Sequence, residues 1–262
     1  MTDLSDRLGP ADLALALVLV AVAVTISRWR RAGLEGDMVV ATVRSFVQLT
    51  AVGFVLEYVF GPGRAWLTPL VLSVMIGVAV ATSGSRGSDV PGARGIAAGA
   101  LVLATGATLG VLLALGIVPA EPRAVIPLGS MVLSNAMNTT SLVLSRLATD
   151  LGGHRRELEA RLSLGLDARA AAAPWHRQAL RSGMLPIVDN TKVVGLVALP
   201  GAMTGMLLAG ASPVAAIRLQ LVVMYMLLGG NAFAALAAGE GALRRLFTAH
   251  HQLVDAGEGA GR

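Results

Sequence analysis

Arg44 and Gln48 stand four residues apart in an apolar run, so a helix puts both on one face. In another run Ser134, Asn138, Ser141 and Ser145 recur at spacings of four, three and four, and Asn135 widens that stripe. Glu57 is the only acid well inside such a run, and Arg218 and Gln220 lie early in the last one. Polar groups in apolar surroundings are costly, so they face a bundle interior or an aqueous path. Two readings follow: hydrogen bonds between helices, or the lining of a path for a polar solute. Arg44 has a third, because it lies only a turn or two inside its run and a long side chain reaches the interface from there. The path candidates are Arg44, Gln48, Asn135 and Asn138.

Catalytic constellations are missing. Lys192 is the only lysine and sits between Thr191 and Val193, so no G-x-x-x-x-G-K-[ST] loop exists. The chain has no cysteine, which removes thiolate zinc sites and thiol nucleophiles. His154, His176, His250 and His251 all lie outside the core apolar runs, and no H-E-x-x-H occurs. The chain is expected to be no enzyme, to bind no cofactor of its own and to hold no metal site.

The elements that must position these residues follow from composition. Of 262 residues, 55% are hydrophobic and 14% charged, against about 25% charged in a soluble domain. Mean hydropathy is +0.70. Seven apolar runs near bilayer length stand out, at about 11–27, 38–60, 65–83, 95–117, 124–146, 190–209 and 213–238. They are apolar on every face, whereas barrel strands alternate. The expectation is an all-α polytopic membrane protein of about seven spans, forming a single transmembrane domain over 1–262. The acidic start, with Asp3, Asp6 and Asp12 against Arg7, and the lack of a small-residue cleavage site argue against a signal peptide. Fifteen of the 21 basic residues fall in the segments after runs one, three, five and seven, which predicts N-out and C-in. Basic residues scattered over four loops beside lipid are topology signals and exclude a nucleic-acid partner. The one long connection, 147–189, is expected on the cytoplasmic side, and the tail from Gly257 reads as disordered.

Two local patterns bear on movement and partners. Pro200-Gly201 inside the sixth run predicts a kinked helix and a hinge, and Gly201 with Gly205 forms a G-x-x-x-G packing motif. In the long connection, Glu159-Ala160 followed by Gly165 matches the start of the EAA signature of ABC importer permeases. That signature marks a short helix docking on an ATPase. Glu159, Ala160 and Gly165 are the coupling candidates: Glu159-Ala160-Arg161 caps or begins the helix, where an acid is favoured, and Gly165 either ends it or lets it approach a partner surface closely.

Several blocks together resemble one family: Arg44-Ser45-Phe46-Val47-Gln48-Leu49, Pro127-Leu128-Gly129-Ser130-Met131 through Asn138, Glu159 to Gly165, and Leu199-Pro200-Gly201-Ala202-Met203-Thr204-Gly205 through Ala209-Gly210-Ala211-Ser212-Pro213. The chain is similar to the FetB-type iron-export ABC transporter permeases, with their plant aluminium-tolerance relatives, over about residues 15–238. The resemblance implies a permease in the cell (inner or plasma) membrane, paired as a homodimer with a separate ABC ATPase that holds ATP and Mg. It also implies iron export. The residues are neutral on that cargo. Iron favours carboxylate, imidazole or thiolate ligands, and the runs offer Glu57, amides, hydroxyls and the thioethers of Met131, Met137, Met203 and Met206. A chelated metal or another small polar solute suits such a lining equally. The competing function is an ATP-independent secondary carrier, which usually shows paired repeats and embedded charge relays. A membrane adaptor without transport would leave the polar pairs unexplained.

Overall fold

The computed structural model describes residues 9–248, 250 and 252–254. Asp3, Asp6, Arg7, His251 and the tail from Gly257 lie outside the described residues. The described chain is helical apart from turns and two isolated bridges. The helices are α1 Pro10–Arg30, α2 Glu35–Val59, α3 Thr68–Arg86, α4 Ala93–Ala114, α5 Pro122–Gly153, α6 Arg155–Ser163, α7 Ala168–Val193, α8 Gly201–Leu208 and α9 Pro213–Leu246. A single 3-10 turn, Ala65–Leu67, leads into α3. Among the described residues four segments are long and apolar enough to cross a membrane: Glu35–Val59, Ala65–Arg86, Ala93–Ala114 and Pro213–Leu246.

The chain divides into two compact units. One comprises residues up to Ala65 with Gly201–Ala216, and the other Trp66–Pro200 with Ile217 onward. In the first, α1 ends at Arg31, whose φ of 54° closes the helix, and the Ala32 N–H donates to the Ser27 carbonyl at 2.9 Å. The buried Ser27 hydroxyl donates to Glu35 at the start of α2, pinning the turn between the two helices. Further along this unit, Gly201–Leu208 forms α8. Gly210, at φ 85°, terminates it, Ser212 accepts a hydrogen bond from the Ala215 N–H, and Pro213 opens α9. The Pro-Gly-Ala-Met-Thr-Gly to Ala-Ser-Pro block is therefore a helix–turn–helix corner.

The second unit is built around α5. Contacts at both ends fix directions. Gly129 and Met137 of α5 face Leu72 and Ser83 of α3, so those two helices run parallel. Gly183 of α7 lies against Thr139 and Val143, and Trp175 against His154, so α7 runs antiparallel to α5. Its buried residues, Ala171, Ala172, Trp175, Ala179, Gly183 and Ile187, fall on a stripe of period four. Small residues there let the two backbones approach closely. A Cβ on Gly183 would meet Val143 at 2.5 Å and the Thr139 carbonyl at 3.2 Å. Three core clusters stack along the bundle. Val125, Leu128 and Val132 meet Leu109, Val223 and Met226. Leu133 and Ala136 meet Ala79, Leu101 and Ala234. Leu144, Leu147 and Leu151 meet Ala93, Leu158, Trp175 and Leu243.

The sixth apolar run differs from the expectation. Residues 190–209 are not one helix kinked at Pro200. α7 ends at Val193, Gly195 takes φ 86° and donates to the Ala198 carbonyl at 2.9 Å, and a new helix starts at Gly201. Proline disfavours a helical residue before it, so Pro200 separates the two helices instead of bending one. The segment expected as a connection, 147–189, is almost wholly helical, and α7 runs through its boundary with the sixth run.

Candidate functional site

The polar stripe of α5 exists, and the structure gives it partners the spacing does not reveal. Asn138 is exposed and its Oδ1 accepts from Arg86 Nη1 at 3.2 Å. Asn135 is half-buried and donates to the Met131 carbonyl at 2.9 Å, within its own helix. Ser134, Ser141 and Ser145 likewise donate to carbonyls one turn back. Ser83 crosses from α3 to the Met137 carbonyl at 3.1 Å.

Behind the stripe lies a buried polar layer. Thr139 shares its hydroxyl hydrogen between Asn231 Oδ1 at 2.9 Å and the Gly183 carbonyl at 3.2 Å, so α5, α7 and α9 meet at one side chain. Asn231 is 1% exposed, and its Nδ2 has no hydrogen-bond partner. Thr105, Thr108 and Thr140 are also buried with unpaired hydroxyls, and Gln220 with an unpaired Oε1. Asn231 was not singled out from the sequence. The available signal was an amide inside an otherwise apolar last run, the same signal that marked Gln220.

Arg44 and Gln48 are on α2, in the other unit, and both are exposed. Val59 is the buried residue of α2. Gly201 and Gly205 face open space: a Cβ on either would meet nothing within 4 Å.

The coupling candidates fall on α6 and its end. Arg155 pairs with Glu159 at 2.8 Å and Arg161 with Glu157 at 3.2 Å. Glu159 therefore lies in the second turn, where it stabilises the helix through an i,i+4 pair; it does not cap it. Gly165, at φ 87°, closes α6 as expected. Its N–H donates to the Leu162 carbonyl and that of Leu166 to the Arg161 carbonyl, the double bond of a Schellman end. Asp167 then caps α7 by accepting from the Ala170 N–H. Leu158, fully buried, anchors α6 to the bundle, and Arg161 lies 5.3 Å over the Trp175 ring. A cleft of about 740 Å³ opens beside the helix, lined by Glu159, Gly165, Leu166, Asp167 and Gln252 among others. Nearby, Arg169 of α7 is ion-paired with Glu240 of α9. His176, one helical stripe along, packs on Gly239. Burial pushes the His176 pKa below its ordinary value of 6.5; Glu240 opposes that shift and Arg169 adds to it. Among the described residues no group of three His, Cys, Asp or Glu side chains is placed to hold a metal ion.

Comparison with known proteins adds the family. The model of the uncharacterised protein family UPF0014 matches residues 10–247. The rice UPF0014 membrane protein STAR2 is 41% identical over 233 residues, 89% of this chain and 82% of that protein. The Escherichia coli protein named "Probable iron export permease protein FetB" is 35% identical over 242 residues, 92% of this chain and 93% of its own length. The Bacillus subtilis UPF0014 membrane protein YjkA is 34% identical, with 92% and 96% covered. No solved structure matches. With four apolar helices of spanning length and a match over nearly its whole length, the chain belongs to the UPF0014 family of membrane proteins.

Proposed function

We propose that this chain is the membrane-spanning permease subunit of an ABC transporter, working as a pair of permeases with a separate ATPase that carries ATP and Mg. The observation that supports it most is α6. It is a short charged helix, anchored by one buried leucine and stopped by a left-handed glycine, with a cleft along its side. Glu159 and Gly165 both line that cleft. A partner ATPase seated there would pull on α6, and through the Leu158 and Trp175 contacts on α5 and α7. The path runs along Asn135 and Asn138 of α5; within the other unit, Arg44 and Gln48 form a polar face on α2. Pro200, Gly201 and Gly205 form a corner that yields when α7 and α9 move.

Iron is the cargo suggested by the name of the Escherichia coli relative, and export is the direction. The protein sits in the cell membrane, N-terminus out and C-terminus in, with α6 in the cytoplasm. Co-expression with a candidate ABC ATPase tests the reading. Affinity purification of the tagged chain should bring the ATPase with it in equal amounts. Substrate moved by the chain alone, driven by an ion gradient, would instead make it a secondary carrier.

A further inference from the structure

Arg86 is placed unlike an arginine seeking the membrane surface. It is the last residue of α3, and the next residue, Gly87, lies against Leu144 of α5. Its guanidinium reaches Asn138, six residues back along α5, or about 9 Å of helix rise. Helical side chains tilt toward their own N-terminus, and α3 runs parallel to α5, so the charge leans back along the bundle. Asn138 is near the middle of the 32-residue α5. A snorkelling side chain would turn the other way, toward exposed Asp89, which lines a cleft with Thr149 and Arg155. Among the described residues no carboxylate pairs with Arg86, and both Arg86 and Asn138 are exposed.

We propose that Arg86 and Asn138 form a recognition point for an oxyanion, a carboxylate or phosphate carried free or as the ligand shell of a metal ion. The inference rests on the reading of the α5 stripe as the transport path and names the charge class of the cargo. The pairing settles the Asn138 orientation, because only Oδ1 accepts from a guanidinium; Nδ2 therefore points away as a donor. The other guanidinium N–H groups are donors as well. A face of donors without a carboxylate suits an acceptor-rich anion, which an arginine fork grips with two parallel hydrogen bonds. A bare cation would meet only positive charge. An anionic iron chelate satisfies both this face and an iron cargo.

The test uses the full chain with its ATPase in phosphatidylcholine nanodiscs, probed with citrate, ferric citrate and unchelated ferrous ion. Citrate, ferric citrate or both should bind, the first marking a free anion and the second a metal chelate. Arg86→Gln should weaken that binding at least tenfold, and Arg86→Lys less, since it keeps the charge without the fork. Asn138→Asp is the third variant: it gives Arg86 a carboxylate, holds the two helices together, and should also cost at least tenfold. Wild-type citrate affinity in Asn138→Asp would overturn the proposal, as would binding of ferrous ion alone that Arg86→Gln and Asn138→Asp leave intact. Loss of citrate binding when phosphatidylglycerol is added would assign Arg86 to lipid headgroups and overturn it too. ATPase retention and ATP turnover on the same samples report separately on the permease reading.

Discussion

Thr139 on α5 and Asn231 on α9, 92 residues apart, share a buried hydrogen bond of 2.9 Å. The next residue, Thr140, is as buried and has no partner for its hydroxyl. Neighbouring threonines thus stand in opposite energetic positions. Thr139→Val should destabilise by about 1–3 kcal/mol, because it strands the Asn231 amide. Thr140→Val should be neutral or stabilising, because it removes a polar group that pays desolvation without a bond. Thermal unfolding midpoints of the two variants in detergent rank them directly.

The glycine pairs give a second contrast. A Cβ at Gly183 has no room against Val143 and the Thr139 backbone, while one at Gly205 meets nothing. Gly183→Val should force α7 off α5 and lower the yield of folded protein several-fold. Gly205→Ala should leave yield and unfolding midpoint unchanged in the isolated chain. Size-exclusion profiles of both show which glycine the bundle needs.

His176 sets a pH dependence. Its folded-state pKa is lowered chiefly by burial, so the unfolded chain binds the proton more readily. Stability from this group is full above the ordinary histidine value of 6.5 and is lost as pH falls through 6.5 toward the lower folded value. Unfolding midpoints measured from pH 8 to pH 5 should fall on the acid side in the wild type. His176→Gln should flatten that part of the curve. An unchanged curve would mean that the imidazole is solvated and contributes nothing.

Topology gives a fourth test. If α7 climbs beside α5, the turn holding Leu196, 90% exposed, emerges on the outer side before α9 returns. Leu196→Cys should react with a membrane-impermeant thiol reagent in intact cells, and a reporter fused after Arg262 should be active only in its cytoplasmic form.

The helical class and the runs that became α2, α3, α4 and α9 were legible because they are long and uniformly apolar. α7 was not. Arg169, His176, Arg177 and Arg181 lower its hydropathy to that of a loop, and its buried stripe is carried mainly by alanine and glycine, which weigh little on a hydropathy scale. The sixth run misled for the opposite reason. Its composition is apolar, but Gly195 and Pro200 break its backbone. Gly165 was readable as a helix stop because only glycine sits comfortably at a positive φ. The Arg86–Asn138 and Thr139–Asn231 pairs join residues 52 and 92 positions apart, and spacing along a chain carries no trace of such contacts.

Two substitutions bear on α6 as the proposed seat of an ATPase. Gly165→Asp forces a side chain into a left-handed conformation, and Glu159→Ala removes the pair with Arg155 beside the cleft. The measurement is ATP turnover by the ATPase reconstituted with the doubly substituted chain, set against the wild-type complex. The chain should insert at normal levels, while co-purifying ATPase and chain-dependent turnover fall at least tenfold. Assembly and turnover equal to wild type would contradict the claim.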